Sequence, residues 1–214
     1  MGGMTLRRAS LWGLLIAVLL GITFATVRNE LEKWRRPSLP RIAALPSFQL
    51  QEREGSLLGT ADLAGAPWVA SFLFTRCPEG CATVAARMAD LHGTLATDSP
   101  VHLVTLTVDP EHDTAAVLRG FARSWGADRP PSRWWWFTGA PEEILPLVRE
   151  GFLLGAGPEE LSAEGADPAS GIVSSGRLVL VDGEGWIRGY YDAANDGEMA
   201  LLRRDLAGLM ASSR

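Results

Sequence analysis

The chain has 214 residues, 47% of them hydrophobic, and a formal net charge of −5; that is enough to close one good-sized core and argues against two domains. Charge is uneven: the first 40 residues carry +4, from Arg7, Arg8, Arg28, Lys33, Arg35 and Arg36 against Glu30 and Glu32, which leaves −9 for the remainder. So acidic a globular part lacks the basic patches that phosphate backbones require, and nucleic acid is excluded as a partner.

Leu11 to Val27 is a 17-residue run without charge, preceded by Arg7 and Arg8. It fits a signal peptide or a short membrane anchor, with a buried core helix as the plain alternative. The nearest small-x-small cleavage candidate is Thr23-Phe24-Ala25, and no cysteine stands near the run to take a lipid. Residues 1–28 are therefore expected to be an uncleaved transmembrane anchor. Arg28, Lys33, Arg35 and Arg36 compete with Arg7 and Arg8 under the positive-inside rule, so charge alone does not orient it. Residues 29–46, charged and holding Pro37, Pro40 and Pro46, read as a linker, and 47–214 as the folded domain.

Within that domain the periodicities alternate. Residues 48–51 and 68–74 read as strands, 81–95 as a helix, 101–108 as a strand and 114–125 as a helix. Then come a short strand at 134–137, a helix at 141–150, a hairpin of 178–181 and 186–191 around Gly183-Glu184-Gly185, and a last helix at 197–210. Strand, helix and strand followed by a hairpin and a terminal helix is a thioredoxin-like order: an α/β fold with a central mixed sheet flanked by helices. Trp134, Trp135 and Trp136 sit in the short strand, where alternation sends either the middle ring or the outer pair inward. Core and sheet-edge packing is the default there, and a partner-docking surface the functional alternative. Residues 156–170, rich in small and acidic types, read as an exposed loop, with a mobile flap as the functional alternative.

Chemistry concentrates in Cys77 and Cys81, the chain's two cysteines, in Phe74-Thr75-Arg76-Cys77-Pro78-Glu79-Gly80-Cys81 directly after the apolar run from Trp68. Residues four apart on a helix hold their Cβ atoms about 5 to 6 Å apart, whereas a disulfide wants about 3.8 Å. A bond therefore requires Cys77 to lie outside the first turn. Pro78 favours this, because proline suits the first helical position, with Cys77 just before the helix and Cys81 in its first turn. The positive helix end, with Arg76 beside it, stabilises thiolate. Two thiolates also favour Cu(I) or zinc, yet leave a metal site incomplete. Two inert buried cysteines are the plain alternative.

Chemistry in open α/β sheets gathers at the carboxyl ends of strands, so the loop Asp109-Pro110-Glu111-His112-Asp113 is expected beside the cysteine loop. Asp109 and Asp113 are candidates for orienting that loop, though a helix cap at Asp113 is the simpler expectation. Met88, seven residues after Cys81, reads as core rather than as a thioether ligand.

Phe72-Leu73-Phe74-Thr75-Arg76-Cys77-Pro78-Glu79-Gly80-Cys81, Val108-Asp109-Pro110-Glu111-His112-Asp113-Thr114, Trp136-Phe137-Thr138-Gly139 and the stretch from Leu178 to Tyr191 together resemble, in order, the Sco/SenC family. The resemblance implies a membrane-tethered thioredoxin fold that serves cytochrome c oxidase assembly. In it, two cysteines, here Cys77 and Cys81, and one histidine bind copper, and the same dithiol reduces a partner's disulfide. It also implies a domain outside the cytoplasm, on the periplasmic side of a bacterial inner membrane, where a dithiol can cycle with a disulfide.

Counting back from Leu178 places Ser174 at the family's histidine position, and no histidine follows His112. A serine hydroxyl is a poor replacement for imidazole at a copper–thiolate site. His102 begins a strand whose other end meets the site, roughly 20 Å away, and His92 lies roughly 16 Å along the helix. His112 alone is within reach, with a solvated or capping role as its plainer reading.

Thiol–disulfide reduction of a partner, such as the copper-site cysteines of a respiratory oxidase subunit or another thiol protein, is therefore the leading expectation, with an upstream thiol reductant restoring the dithiol. Copper delivery by ligand exchange is the alternative, with copper binding weakened, and a thiol peroxidase the weaker one.

Overall fold

The computed structural model describes residues 12, 16–24, 26–27, 39–76, 80–130, 133–154 and 176–212, with backbone alone at Gly80 and Cys81. The chain divides into two compact units, Met1–Leu39 and Pro40–Arg214.

In the first unit, residues 16–24 and 26–27 are helical. Ile16, Leu19, Leu20, Ile22 and Phe24 are exposed, while the Thr23 and Thr26 hydroxyls donate back to the Leu19 and Ile22 carbonyls. Among the described residues no helix is long and apolar enough to cross a membrane.

The second unit is a mixed α/β fold. Its strands are β1 (Ala43–Ala44), β2 (Gln49–Glu52), β3 (Leu57–Gly59), β4 (Trp68–Leu73), β5 (His102–Thr107), β6 (Trp134–Thr138), β7 (Arg177–Val181) and β8 (Trp186–Asp192). Its helices are α1 (Thr60–Leu63), α2 (Gly80–Thr94), α3 (Ala115–Ser124), α4 (Pro141–Pro146) and α5 (Asp196–Ser212). Among the described residues the strands form one sheet in the order β1-β8-β7-β4-β5-β6-β2-β3. β4, β5 and β6 are parallel, and β7 returns antiparallel to β4.

β4 and β5 are buried along their whole length, as near-continuous apolar runs are when helices cover both sheet faces. The buried hydroxyls on these strands are satisfied internally. Trp134 Nε1 donates to Thr105 Oγ1 at 2.9 Å, the two hydroxyls of Thr105 and Ser71 meet at 2.8 Å, and Ser71 donates on to the Val104 carbonyl. The tryptophan run resolves by alternation: Trp134 and Trp136 turn inward as a buried pair 5.1 Å apart, and Trp135 is half-buried on the other face. Each inward ring contributes roughly 2 to 3 kcal/mol of burial.

Trp135 packs on His102 at 4.3 Å, and Arg133 Nη1 lies 3.1 Å from His102 Nε2. Arginine has no acceptor, so Nε2 must accept and the imidazole is neutral. Burial first, then Arg133, pushes the His102 pKa down to about 4. The unfolded chain takes up this proton near pH 6.5 and the native state only near 4, so the histidine's stability is full above pH 6.5 and lost as pH falls through that window. His102→Gln should remove about 2 kcal/mol of the stability difference between pH 7.5 and pH 5, measured by urea titration. Burial shifts His92 in the same sense, so the slope flattens without vanishing.

Three short elements carry no periodicity long enough to read. β1 lies inside the stretch expected to be linker, yet Ile42 N–H and Leu45 N–H donate to Ile187 and Gly185 carbonyls of the β8 hairpin. Arg188 donates to the Pro40 carbonyl, and Arg41 pairs with Glu184 at 2.6 Å over the Trp186 ring. β3 and α1 form the opposite edge.

The helix expected at 141–150 is α only to Pro146 and continues as a π-turn, Leu147–Gly151. Pro146 cannot donate to the carbonyl four residues back, and the chain rewinds with a wider turn. It closes with Phe152 N–H on the Leu147 carbonyl and Leu154 N–H on that of Val148. Between them Leu153, 53% exposed, adopts φ 56°, the left-handed position that glycine usually fills. Leu153→Gly should therefore stabilise the fold by about 1 kcal/mol, read as a rise in Tm of a few degrees.

Candidate functional site

Because β4, β5 and β6 run parallel and β8 shares their direction, α2, α3 and α5 all begin at the same pole of the sheet. Their positive N-terminal ends converge there. α2 begins at Gly80, which puts Cys81 in its first turn; Cys77, Pro78 and Glu79 lie outside the described residues. So do Ser174 and the 156–170 segment read as a loop or flap.

The two loops at this pole are neighbours. Val108 N–H donates to the Leu73 carbonyl at 3.0 Å, extending the β4–β5 ladder to the start of both loops. Thr75 N–H then donates to Asp113 Oδ2 at 2.9 Å, the Thr75 hydroxyl to Oδ1, and the Thr107 hydroxyl to Oδ2 at 2.6 Å. Arg76 donates to Asp109 at 2.6 Å. That bond raises the pKa of an exposed guanidinium that is already a permanent cation.

The expectation that Asp113 caps the following helix is corrected. Thr114 is the N-cap: extended at φ −62° and ψ 163°, it accepts from Val117 N–H. Asp113 is wholly buried and faces the cysteine loop instead. Thr75 and Thr107 were not singled out from sequence. The available signal was a pair of threonines, at 105 and 107, on one face of an otherwise apolar strand.

Two of the three histidines, His92 and His102, lie away from this pole. His102 pairs with Trp68 at the far end of β4, and His92 is buried in the last turn of α2 against Trp134. His112 is exposed in the turn after β5, its N–H on the Asp109 carbonyl. Met88 is fully buried, as core. Among the described residues no group of three or more His, Cys, Asp or Glu could hold a metal. A recess of about 320 Å³, lined by Leu45, Thr60, Leu63, Trp68 and Gly183, sits at the opposite pole, beneath the start of β4.

A parallel β4–α2–β5 unit flanked by the β7–β8 hairpin and α5, with a cysteine pair leaving β4, defines a thioredoxin-like α/β protein. Residues 38–210 match the family model described as SCO1/SenC, and the chain belongs to that family. It is 33% identical over 79 residues to the SCO1 protein homolog of Bacillus subtilis (strain 168), a match covering 36% of this chain and 41% of that protein, less than half its length. A protein of Stutzerimonas stutzeri named for copper binding is 29% identical over 157 residues, 72% of each chain. Among solved structures, a SCO1/SenC family lipoprotein from Bacillus anthracis str. Ames shares the fold at a TM-score of 0.61 and 26% identity, covering 78% of this chain and 95% of that one. BsSco, a member of the Sco family of cytochrome c oxidase assembly proteins in which a disulfide switch was identified, shares the fold at 0.56 and 22% identity, covering 77% and 94%.

Proposed function

We propose that this protein is a membrane-tethered thiol–disulfide reductant acting through Cys77 and Cys81 in cytochrome c oxidase assembly, its domain on the periplasmic side of a bacterial inner membrane. The observation that carries this reading is the distribution of imidazoles. The sequence holds three histidines; two are buried away from the cysteine pole and the third is exposed on a turn. A dithiol needs none of them. The family membership and the disulfide switch of BsSco support the same chemistry, and the uncharged run at residues 11–27 supports the tether.

In the reaction, one cysteine thiolate attacks a sulfur of the partner's disulfide and the partner's other sulfur leaves as thiolate. The second cysteine then attacks the mixed disulfide, so the partner departs as a dithiol and Cys77–Cys81 remains oxidised. A separate dithiol donor returns the two electrons. The helix start at Gly80 and the cationic Arg76 favour thiolate at the attacking sulfur.

Copper delivery is the second reading, favoured by the relative from Stutzerimonas stutzeri that is named for copper binding. Copper would be cargo held by the two thiolates, with Ser174 at the position where the family resemblance expects imidazole. A neutral hydroxyl is a poor third ligand, which places copper second. Equilibrating the full-length protein in glutathione buffers and counting free thiols tests the leading reading: one two-electron transition is expected, and cysteines that stay reduced throughout would contradict it.

A further inference from the structure

Asp113 is a carboxylate buried without exposed surface, a costly placement unless it is fully bonded. Its helix does not use it, because Thr114 supplies the cap. Among the described residues its three side-chain hydrogen bonds instead come from the segments that frame the cysteine loop: two from Thr75, two residues before Cys77, and one from Thr107 at the end of β5. The Thr107 oxygen also accepts Asp109 N–H at 3.1 Å, which aims its proton at Asp113. Asp113 N–H is itself held on the Asp109 carbonyl at 2.9 Å. Thr75 is thereby tied to β5 and to the turn entering α3 at once.

We propose that Asp113 is a positioning residue for the dithiol, a latch that fixes the N-terminal flank of the cysteine loop while α2 fixes its other end. This rests on the reading of Cys77 and Cys81 as a redox pair. With both ends of a short loop anchored, each sulfur is confined near the other, and its effective concentration in disulfide formation rises. Loosening one anchor makes the disulfide easier to reduce.

Asp113 variants of the full-length protein separate this from general stability and from charge. In D113N the side-chain carbonyl can stay on Thr75 N–H and Thr107 O–H while the new amide donates to the Thr75 hydroxyl, so this variant preserves the latch without the charge. D113L preserves volume and loses the latch. In glutathione redox titration, D113L should lower the effective concentration about tenfold, raising the potential by about 30 mV, with D113N close to wild type. Thr75→Val, which removes one bond, should shift it less and in the same direction, and it serves if D113L does not fold.

A folded D113L with the wild-type potential would overturn the proposal. So would D113N shifting as far as D113L, because charge would then carry the effect. If wild-type cysteines do not cycle at all, the redox reading falls separately. Asp113 is then judged by the reaction rate of Cys77 with a thiol reagent, which a latch requires to change in D113L and which, if unchanged, overturns it.

Discussion

Replacing Cys77 or Cys81 by serine is expected to abolish turnover of a disulfide substrate, by at least about 1,000-fold, with the fold intact. The reason is chemical. A hydroxyl neither ionises near neutral pH nor exchanges with sulfur, and each cysteine is required at a different step. The two variants should differ in what accumulates. Loss of the attacking cysteine leaves the partner untouched, whereas loss of the resolving one strands the mixed disulfide, visible by mass spectrometry under non-reducing conditions. Cys81, in the first turn of α2, lies in the positive field of the helix end. Substantial turnover remaining in either variant would show that the pair does not act as a unit.

Ser174→His carries the second large effect. The family resemblance places position 174 where an imidazole would join the two thiolates. Imidazole suits copper and a neutral hydroxyl does not, so the substitution should tighten copper by on the order of 100-fold. A cysteine-to-copper charge-transfer band should appear with it. The same variant should leave the glutathione titration little changed without metal, since thiol exchange requires only the cysteines. Unaltered copper affinity would mean that position 174 does not face the sulfurs or that another ligand, such as His112, already serves.

The elements long enough to show a period were legible. The run from Trp68 to Leu73 is β4, and the hairpin about Gly183–Gly185 turns where its glycines and Asp182 allow. The carboxyl-end rule also places the Asp109–Asp113 loop beside the cysteine loop, where Thr75 N–H meets Asp113.

Pieces whose form depends on a distant partner were not legible. β1 is two residues long and exists because β8 offers it carbonyls. The π-turn at Leu147–Gly151 follows from one missing donor, at Pro146. Asp113 was expected to cap because capping is the local rule for an aspartate before a helix. A threonine 38 residues upstream won that carboxylate instead, and no local pattern encodes it.

The most direct test of cysteine chemistry first and copper second is a copper titration of the fully reduced, full-length wild-type protein, with accessible thiols counted at each addition. The account predicts weak copper binding that a modest chelator strips, thiols that remain reactive, and their reversible conversion to a disulfide on oxidation. Tight stoichiometric copper, with both thiols protected and a charge-transfer band present, would contradict it.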